Sequence, residues 1–478
     1  MLYFKNLISQ EKMSLKFAFL LKIKSLSFKV IALLLLTSGF SIGQNIEKWV
    51  TKLDKSKLLE KQKQALVFSK NQENLPTIFV DDSKSFQTMD GFGYTLTSGS
   101  ATLINQLSNK KQLLDELFGN AENSIGVNYL RVSVGASDLS DHAYSYSESK
   151  DLSLKNFSLK EDERDLIPVL KEIVKINPKI KILASPWSPP TWMKTNNNSM
   201  GGSLLPEYYQ VYANYLVKYI KEMRKHGIVI DGLTIQNEPL HPGNNPSILM
   251  LPNEQANFIK NNLGPTFLKN GIKTKIIIYD HNADRPDYPI SILNDPAARK
   301  FIDGSAFHLY GGNVENIREV HEAHPDKNLY FTEQWIGHPS NFGGDLAWHV
   351  KNLIIGATRN WCKTVLEWNL AIDPQMNPHT EGGCTACLGA ITIDKDKIER
   401  NAAYYIIGHA SKFVPTNSKR IASNTVLNLN NVAFKTPEGK TVLIIINDSD
   451  KGLEFLIGSK GKMAKETIEG GSVVTYVW

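Results

Sequence analysis

Two glutamates carry the most visible chemistry of this sequence. Glu238 lies in Thr-Ile-Gln-Asn-Glu-Pro (residues 234–239) and Glu333 in Phe-Thr-Glu-Gln-Trp (331–335), each closing a short apolar stretch of strand character. An isolated acid after a strand usually caps a helix or joins an ion pair. Two such acids facing one pocket, with aromatic neighbours, make a different set. One carboxyl can protonate a leaving oxygen while the other attacks carbon or activates water, and cleavage of a glycosidic bond needs that pair. An attacking carboxylate calls for a separation of roughly 5–5.5 Å and retention of the anomeric configuration, whereas about 9 Å would leave room for water and inversion.

The ends of other strand candidates supply groups suited to a sugar: Arg131, Asp138, Trp187, Asn237, Asp280, His281, His308, Tyr310, Trp335, Trp368 and Asn369. Aromatic rings offer flat faces to sugar C–H groups, and the polar side chains offer partners to hydroxyls. Glu367 is a rival third carboxylate, but it directly precedes Trp368. Strand alternation turns one of the two away from the centre. We place Trp368 in the pocket and Glu367 in a structural ion pair.

Other chemistries fit worse. The sequence has no GxSxG nucleophile elbow, no HExxH helix and no GxxxxGK[ST] phosphate loop. His281, His308, His338 and His349 do not fall at metal-ligand spacing, so neither a metal nor another cofactor is expected. Cys384 and Cys387 form a lone Cys-x-x-Cys in GGCTACLG. A zinc knuckle would need a second ligand pair. A local disulfide is the favoured reading, with free thiols or a redox role as alternatives. Cys362 opens an apolar strand and reads as a small buried hydrophobe.

These residues need a frame. Eight strand candidates (90–96, 128–135, 179–187, 231–239, 274–282, 303–310, 327–335 and 362–371) alternate with stretches of helical periodicity such as 163–176, 206–225 and 254–270. That order predicts a (β/α)8 TIM barrel over residues 90–414, with its active site at the C-terminal strand ends. The runner-up, an open doubly wound sheet, would need more than the lone GxG of GFGYT to bind a dinucleotide. From residue 415 to 478 the pattern changes to short strands with turns, an attached antiparallel β-sandwich, which we expect residues 77–89 to complete. Residues 44–76 are lysine- and glutamine-rich and read as a polar, weakly helical surface segment.

Of 478 residues, 42% are hydrophobic and 21% charged, which excludes a disordered or fibrous chain. The formal charge is +6, but Lys5, Lys12, Lys16, Lys22, Lys24 and Lys29 against Glu11 place nearly all of it in residues 1–43. A remainder near neutrality gives no electrostatic case for nucleic acid or a membrane surface. The lysine-bearing start, the apolar run 30–36 and the small residues Ser41 and Gly43 predict a signal peptide. Met13 is an alternative start, and a membrane anchor or a buried first helix is the competing interpretation. The mature protein is then exported, periplasmic, surface-held or secreted, with no membrane span.

The motifs ASPWSPPTWMKTN (184–196), TIQNEP (234–239), FHLY (307–310), FTEQW (331–335) and EWNLA (367–371), with RVSVGASDLS (131–140) and GHASKFVP (408–415), resemble glycoside hydrolase family 30. The resemblance runs from about Gly91 to the C-terminus. The family includes glucosylceramidase and microbial β-1,6-glucanases. It implies a barrel-plus-sandwich fold, Glu238 as acid/base and Glu333 as nucleophile. It further implies a first-subsite sugar held by residues matching Arg131 or Asp138, Trp187, Asn237, Tyr310 and Trp368, with His308 and Trp335 beside them. HLYGG (308–312) and PHTEGGCTACLGAIT (378–392) look closer to the bacterial β-1,6-glucanase branch. A neutral β-glucan, as polysaccharide or oligosaccharide, is the implied substrate. The alternatives are a glucosylceramidase-like enzyme, an exo-acting β-glucosidase or β-xylosidase, and a non-catalytic carbohydrate-binding protein.

Overall fold

The structure, a computed structural model, describes residues 45–70 and 73–478; the signal-peptide expectation over residues 1–43 lies outside them. Eight parallel strands close on themselves in chain order: β1 (Gly91–Thr95), β2 (Tyr129–Ser133), β3 (Lys181–Ser185), β4 (Gly232–Thr234), β5 (Lys275–Asn282), β6 (Ile302–His308), β7 (Asn328–Glu333) and β8 (Cys362–Asn369). Both faces of such strands are buried, so they read as near-continuous apolar runs. Helices cover the outside; Leu166–Ile176, for example, buries Leu166, Ile167, Val169, Leu170 and Ile173.

Inside the barrel, Tyr129, Leu183, Ile277, Ala306, Tyr330 and Leu366 pack into one floor. Two residues further along five of those strands, alternation puts Arg131, Ser185, His308, Thr332 and Trp368 above it.

Several register shifts break that period, two of them near the site. Tyr279 (φ 73°) and Asp280 (φ 64°) are left-handed, and β6 skips Asp280 when it pairs with β5. Between β6 and β7 the register passes from Phe307 opposite Phe331 to His308 opposite Glu333, skipping Thr332. Each is a bulge that re-aims side chains at the barrel rim.

A second sheet carries, in order, Asn45–Lys52, Ser472–Val477, Thr441–Asn447, Asn430–Lys435, Lys419–Ser423, Thr77–Thr88, Leu453–Ser459 and Lys462–Ile468. Val432, Phe434, Val442 and Ile444 pack with the barrel's core. Their alternates Ala433, Leu443 and Ile445 join Ile46, Val50, Ile78 and Phe455 in a separate core. Thr77–Thr88 pairs antiparallel with Lys419–Ser423 and parallel with Leu453–Ser459.

The segment 44–76 departs from its expected surface role. Asn45–Lys52 is a full strand, antiparallel to Ser472–Val477, with Ile46 and Val50 buried. Lys48 and Lys52 share the face of Ile46 and Val50, where they are largely covered and paired with Glu466 and Glu469, so charged residues disguise a buried strand.

Among the described residues, no helix is long and apolar enough to cross a membrane.

Candidate active site

Asp280 sits at the centre of the barrel mouth and is fully buried. Its Oδ2 accepts from Arg131 Nη2 (2.9 Å), Ser185 Oγ (2.6 Å) and Thr234 Oγ1 (2.8 Å). Its Oδ1 accepts from Thr332 Oγ1 (2.7 Å) and His308 Nε2 (3.2 Å). Donors from five other strands thus converge on one carboxylate. Burial opposes its charge, but Arg131 and His308 outweigh burial and hold it far below the usual carboxylate range. The sequence marked Asp280 only as a strand-end polar residue, and nothing local announces this role.

Arg131, also fully buried, distributes its guanidinium over four partners. Nη1 donates to Glu333 Oε2 at 2.5 Å, and Nη2 donates to Asn237 Oδ1 at 2.6 Å and Ser185 Oγ at 3.2 Å as well as to Asp280. The guanidinium lies 4.6 Å from the Trp187 ring and 5.8 Å from the Trp368 ring. Those two indoles stack at 5.3 Å between centroids. Glu367 points outward, where its Oε1 meets His349 Nδ1 at 2.8 Å.

Glu333 Oε1 accepts from the Tyr310 hydroxyl at 2.9 Å. Glu238 Oε1 faces His308 Nδ1 at 3.0 Å, and the same nitrogen is 3.7 Å from Glu333 Oε1. One carboxylate oxygen of Glu238, one of Glu333 and a nitrogen of His308 all lie within 4.8 Å of one another. That leaves no room for the wider gap an inverting pair needs. Glu238 has φ 45°, and its N–H is fixed by the Asp280 carbonyl at 2.9 Å. His281 Nδ1 accepts from the Leu240 N–H at 3.3 Å, bracing the turn after Glu238.

Burial opposes a charge on His308, but Glu333, Asp280 and Glu238 raise its pKa to about 9, so it is a cation at neutral pH. Both ring N–H groups are then donors, to Glu238 and to Asp280. Burial lifts Glu333 above the ordinary range, with His308 and Arg131 opposing it. On Glu238 the His308 cation overcomes burial and lowers the pKa. Although Arg131 donates to Glu333, it is Glu333 and not Glu238 whose pKa is raised.

Asp138 is buried close enough to feel both glutamates; burial, then the Glu333 charge, pushes it up to about 7. Its Oδ1, itself buried, finds no hydrogen-bond partner among the described residues. Trp335 is half-buried, packed against the barrel core and beside Gly337. Cys384 and Cys387 form a disulfide, and Cys362 is a buried free thiol.

The profile of the glycosyl hydrolase family 30 TIM-barrel domain matches residues 89–414, and that of the family 30 β-sandwich domain matches 417–476. The chain belongs to glycosyl hydrolase family 30. This family 30 chain is 33% identical over 433 residues to the endo-1,6-β-D-glucanase neg1 of Aspergillus fumigatus, covering 83% of this chain and 87% of the relative. It is 31% identical over 430 residues to the lysosomal acid glucosylceramidase of Mus musculus, covering 83% and 82%. The solved structure of an endo-β-1,6-glucanase superposes with a TM-score of 0.86 at 35% identity, over 91% of this chain and 99% of that one.

Proposed function

We propose that this family 30 enzyme cleaves a neutral β-1,6-glucan with retention, Glu333 as nucleophile and Glu238 as acid/base. The carrying observation is the close carboxylate pair in which Arg131 and Tyr310 both donate to Glu333. Those donors orient Glu333 toward an anomeric carbon. Glu238, facing it across the site, protonates the departing glycosidic oxygen, and a glycosyl ester forms on Glu333. Esterification removes the Glu333 charge. Glu238, now a carboxylate, takes a proton from water as the water attacks the same carbon, and Glu333 leaves.

Asn237, Asp138, Trp187 and Trp368 hold the sugar on this reading, with Trp335 outside the first subsite; His308, expected among them, has both N–H groups engaged by Glu238 and Asp280 and acts on the charge of Glu238 instead. The β-1,6 linkage is supported by the relatives named as endo-1,6-β-glucanases. The disulfide supports an exported enzyme, since such bonds persist in oxidising compartments.

The test is a hydrolysis panel of pustulan, laminarin, xylan, aryl β-glucosides and glucosylceramide, with products resolved by length and anomer. Rapid pustulan cleavage to short β-anomeric oligosaccharides is expected. Preference for glucosylceramide, or an inverted product, would overturn the substrate or the mechanism respectively.

His308 gives a pH prediction. Its cation favours the charged form of Glu238, so removing it raises the Glu238 pKa and keeps the acid form to higher pH. His308→Asn should lower kcat/KM by about 10²-fold and move the basic limb of its pH profile to higher pH. A basic limb that moves down or stays fixed counts against the coupling.

A further inference from the structure

The disulfide loop touches all three segments that carry the proposed acidic groups. Thr380 is buried to 1% exposure; its N–H donates to the Asp138 carbonyl at 2.9 Å. Its hydroxyl donates to the Asn245 carbonyl at 2.6 Å, with the Asp138 carbonyl 3.3 Å away. Asn245, in the loop after Glu238, returns a bond from Nδ2 to the Glu381 carbonyl at 2.7 Å. Gly383 closes the turn, where a Cβ would lie 2.4 Å from the Asp138 carbonyl oxygen, so no side chain fits. At the loop's other end Cys387 and Leu388 pair with Gly337 and Ile336, just past Glu333, and His338 N–H donates to Ala386 O at 2.8 Å. The Cys384–Cys387 bond lies between these two anchors.

We propose that Thr380 is a positioning residue, which, with the Cys384–Cys387 loop that carries it, holds the Asp138 and Glu238 segments in register over the sugar. This rests on the roles given above to Asp138 and Glu238. Thr380 touches no reacting atom and acts through two backbone carbonyls. Deleting its hydroxyl keeps the N–H bond to Asp138 but removes one of the loop's two bonds to Asn245, leaving only that from Asn245 Nδ2 to the Glu381 carbonyl, so the two segments are held less firmly in register. Small displacements of this kind cost up to about 10²-fold in rate. The loop also offers a handle on the same geometry, since Cys384 is half-buried and Thr385 exposed.

Thr380→Val, Thr380→Ser, Asp138→Asn and the Cys384→Ser/Cys387→Ser pair are compared in the full chain on β-1,6-gluco-oligosaccharides and on a dinitrophenyl β-glucoside, with circular dichroism to verify folding. T380V should lower kcat/KM on the oligosaccharide about 10- to 100-fold. KM should rise on both substrates and kcat fall more on the oligosaccharide, which needs the acid. T380S should restore activity to within about twofold, and dithiothreitol on the wild-type enzyme should shift KM in the same direction as the cysteine pair. Unchanged kinetics of folded T380V alongside a crippled D138N overturn the proposal alone. A fully active D138N overturns the sugar-holding role and the proposal with it. If T380V does not fold, the reductant arm decides: unaltered KM after verified reduction overturns the loop's part.

Discussion

Glu333→Ala should abolish turnover of every substrate, by roughly the 10⁴–10⁶-fold that loss of an essential nucleophile costs. Leaving-group activation cannot help, because no group remains to attack the anomeric carbon. The truncated side chain leaves a gap in front of two donors, Arg131 Nη1 and the Tyr310 hydroxyl, which now lack their acceptor. A small anion such as azide or formate should enter that gap and displace the leaving group once, giving an inverted product. Anomer-resolved NMR of the rescued reaction checks this. Retention in the rescued product, or substantial activity without the anion, would remove Glu333 from the nucleophile's place.

Glu238→Ala should fail differently. On unactivated β-glucan the loss should reach about 10²–10⁴-fold, the usual contribution of a positioned general acid. A dinitrophenyl glucoside needs no proton on its leaving group, so its first step should survive and the glycosyl ester on Glu333 accumulate. Added azide should then speed release, this time with retention, because it is the second displacement at the same carbon. Burst kinetics and the anomer of the azide adduct read both steps. Equal losses on activated and unactivated substrates, or the same anomer from both rescues, would reverse or void the two roles.

Much of this architecture is legible from residue order. The eight strands appear because each is buried on two faces and so stays apolar throughout. Alternation correctly separates Trp368 in the barrel from Glu367 against His349. Alternation also explains what was hidden. Counted from Ile277, the inward positions of β5 are 279 and 281, yet the bulge turns Asp280 inward instead. A two-residue period cannot report a skipped residue, and the partners of Asp280 come from five separate strands. Thr380 escaped for a related reason: its links are backbone carbonyls, which leave no residue-type signature at Asp138 or Asn245. The balance between Glu238 and Glu333 depends on how close His308 stands to each, 3.0 and 3.7 Å, a quantity no spacing in the chain encodes.

The way the second sheet is assembled bears on how the chain can be made. Asn45–Lys52 finds its long partner strand in residues 472–477, and Thr77–Thr88 finds both of its neighbours beyond residue 418. Apart from the short local pairings of Asn45–Lys52 with Glu60–Lys61 and Leu66–Val67, these early strands must therefore wait for nearly the whole polypeptide before their edges are paired. Until then they expose unpaired backbone, the kind of edge that recruits other chains. Native contacts this far apart in sequence also slow folding. The two family 30 domains are thus not beads on a string. The barrel is threaded between the halves of its companion, and the last six-residue strand is the stitch that closes both.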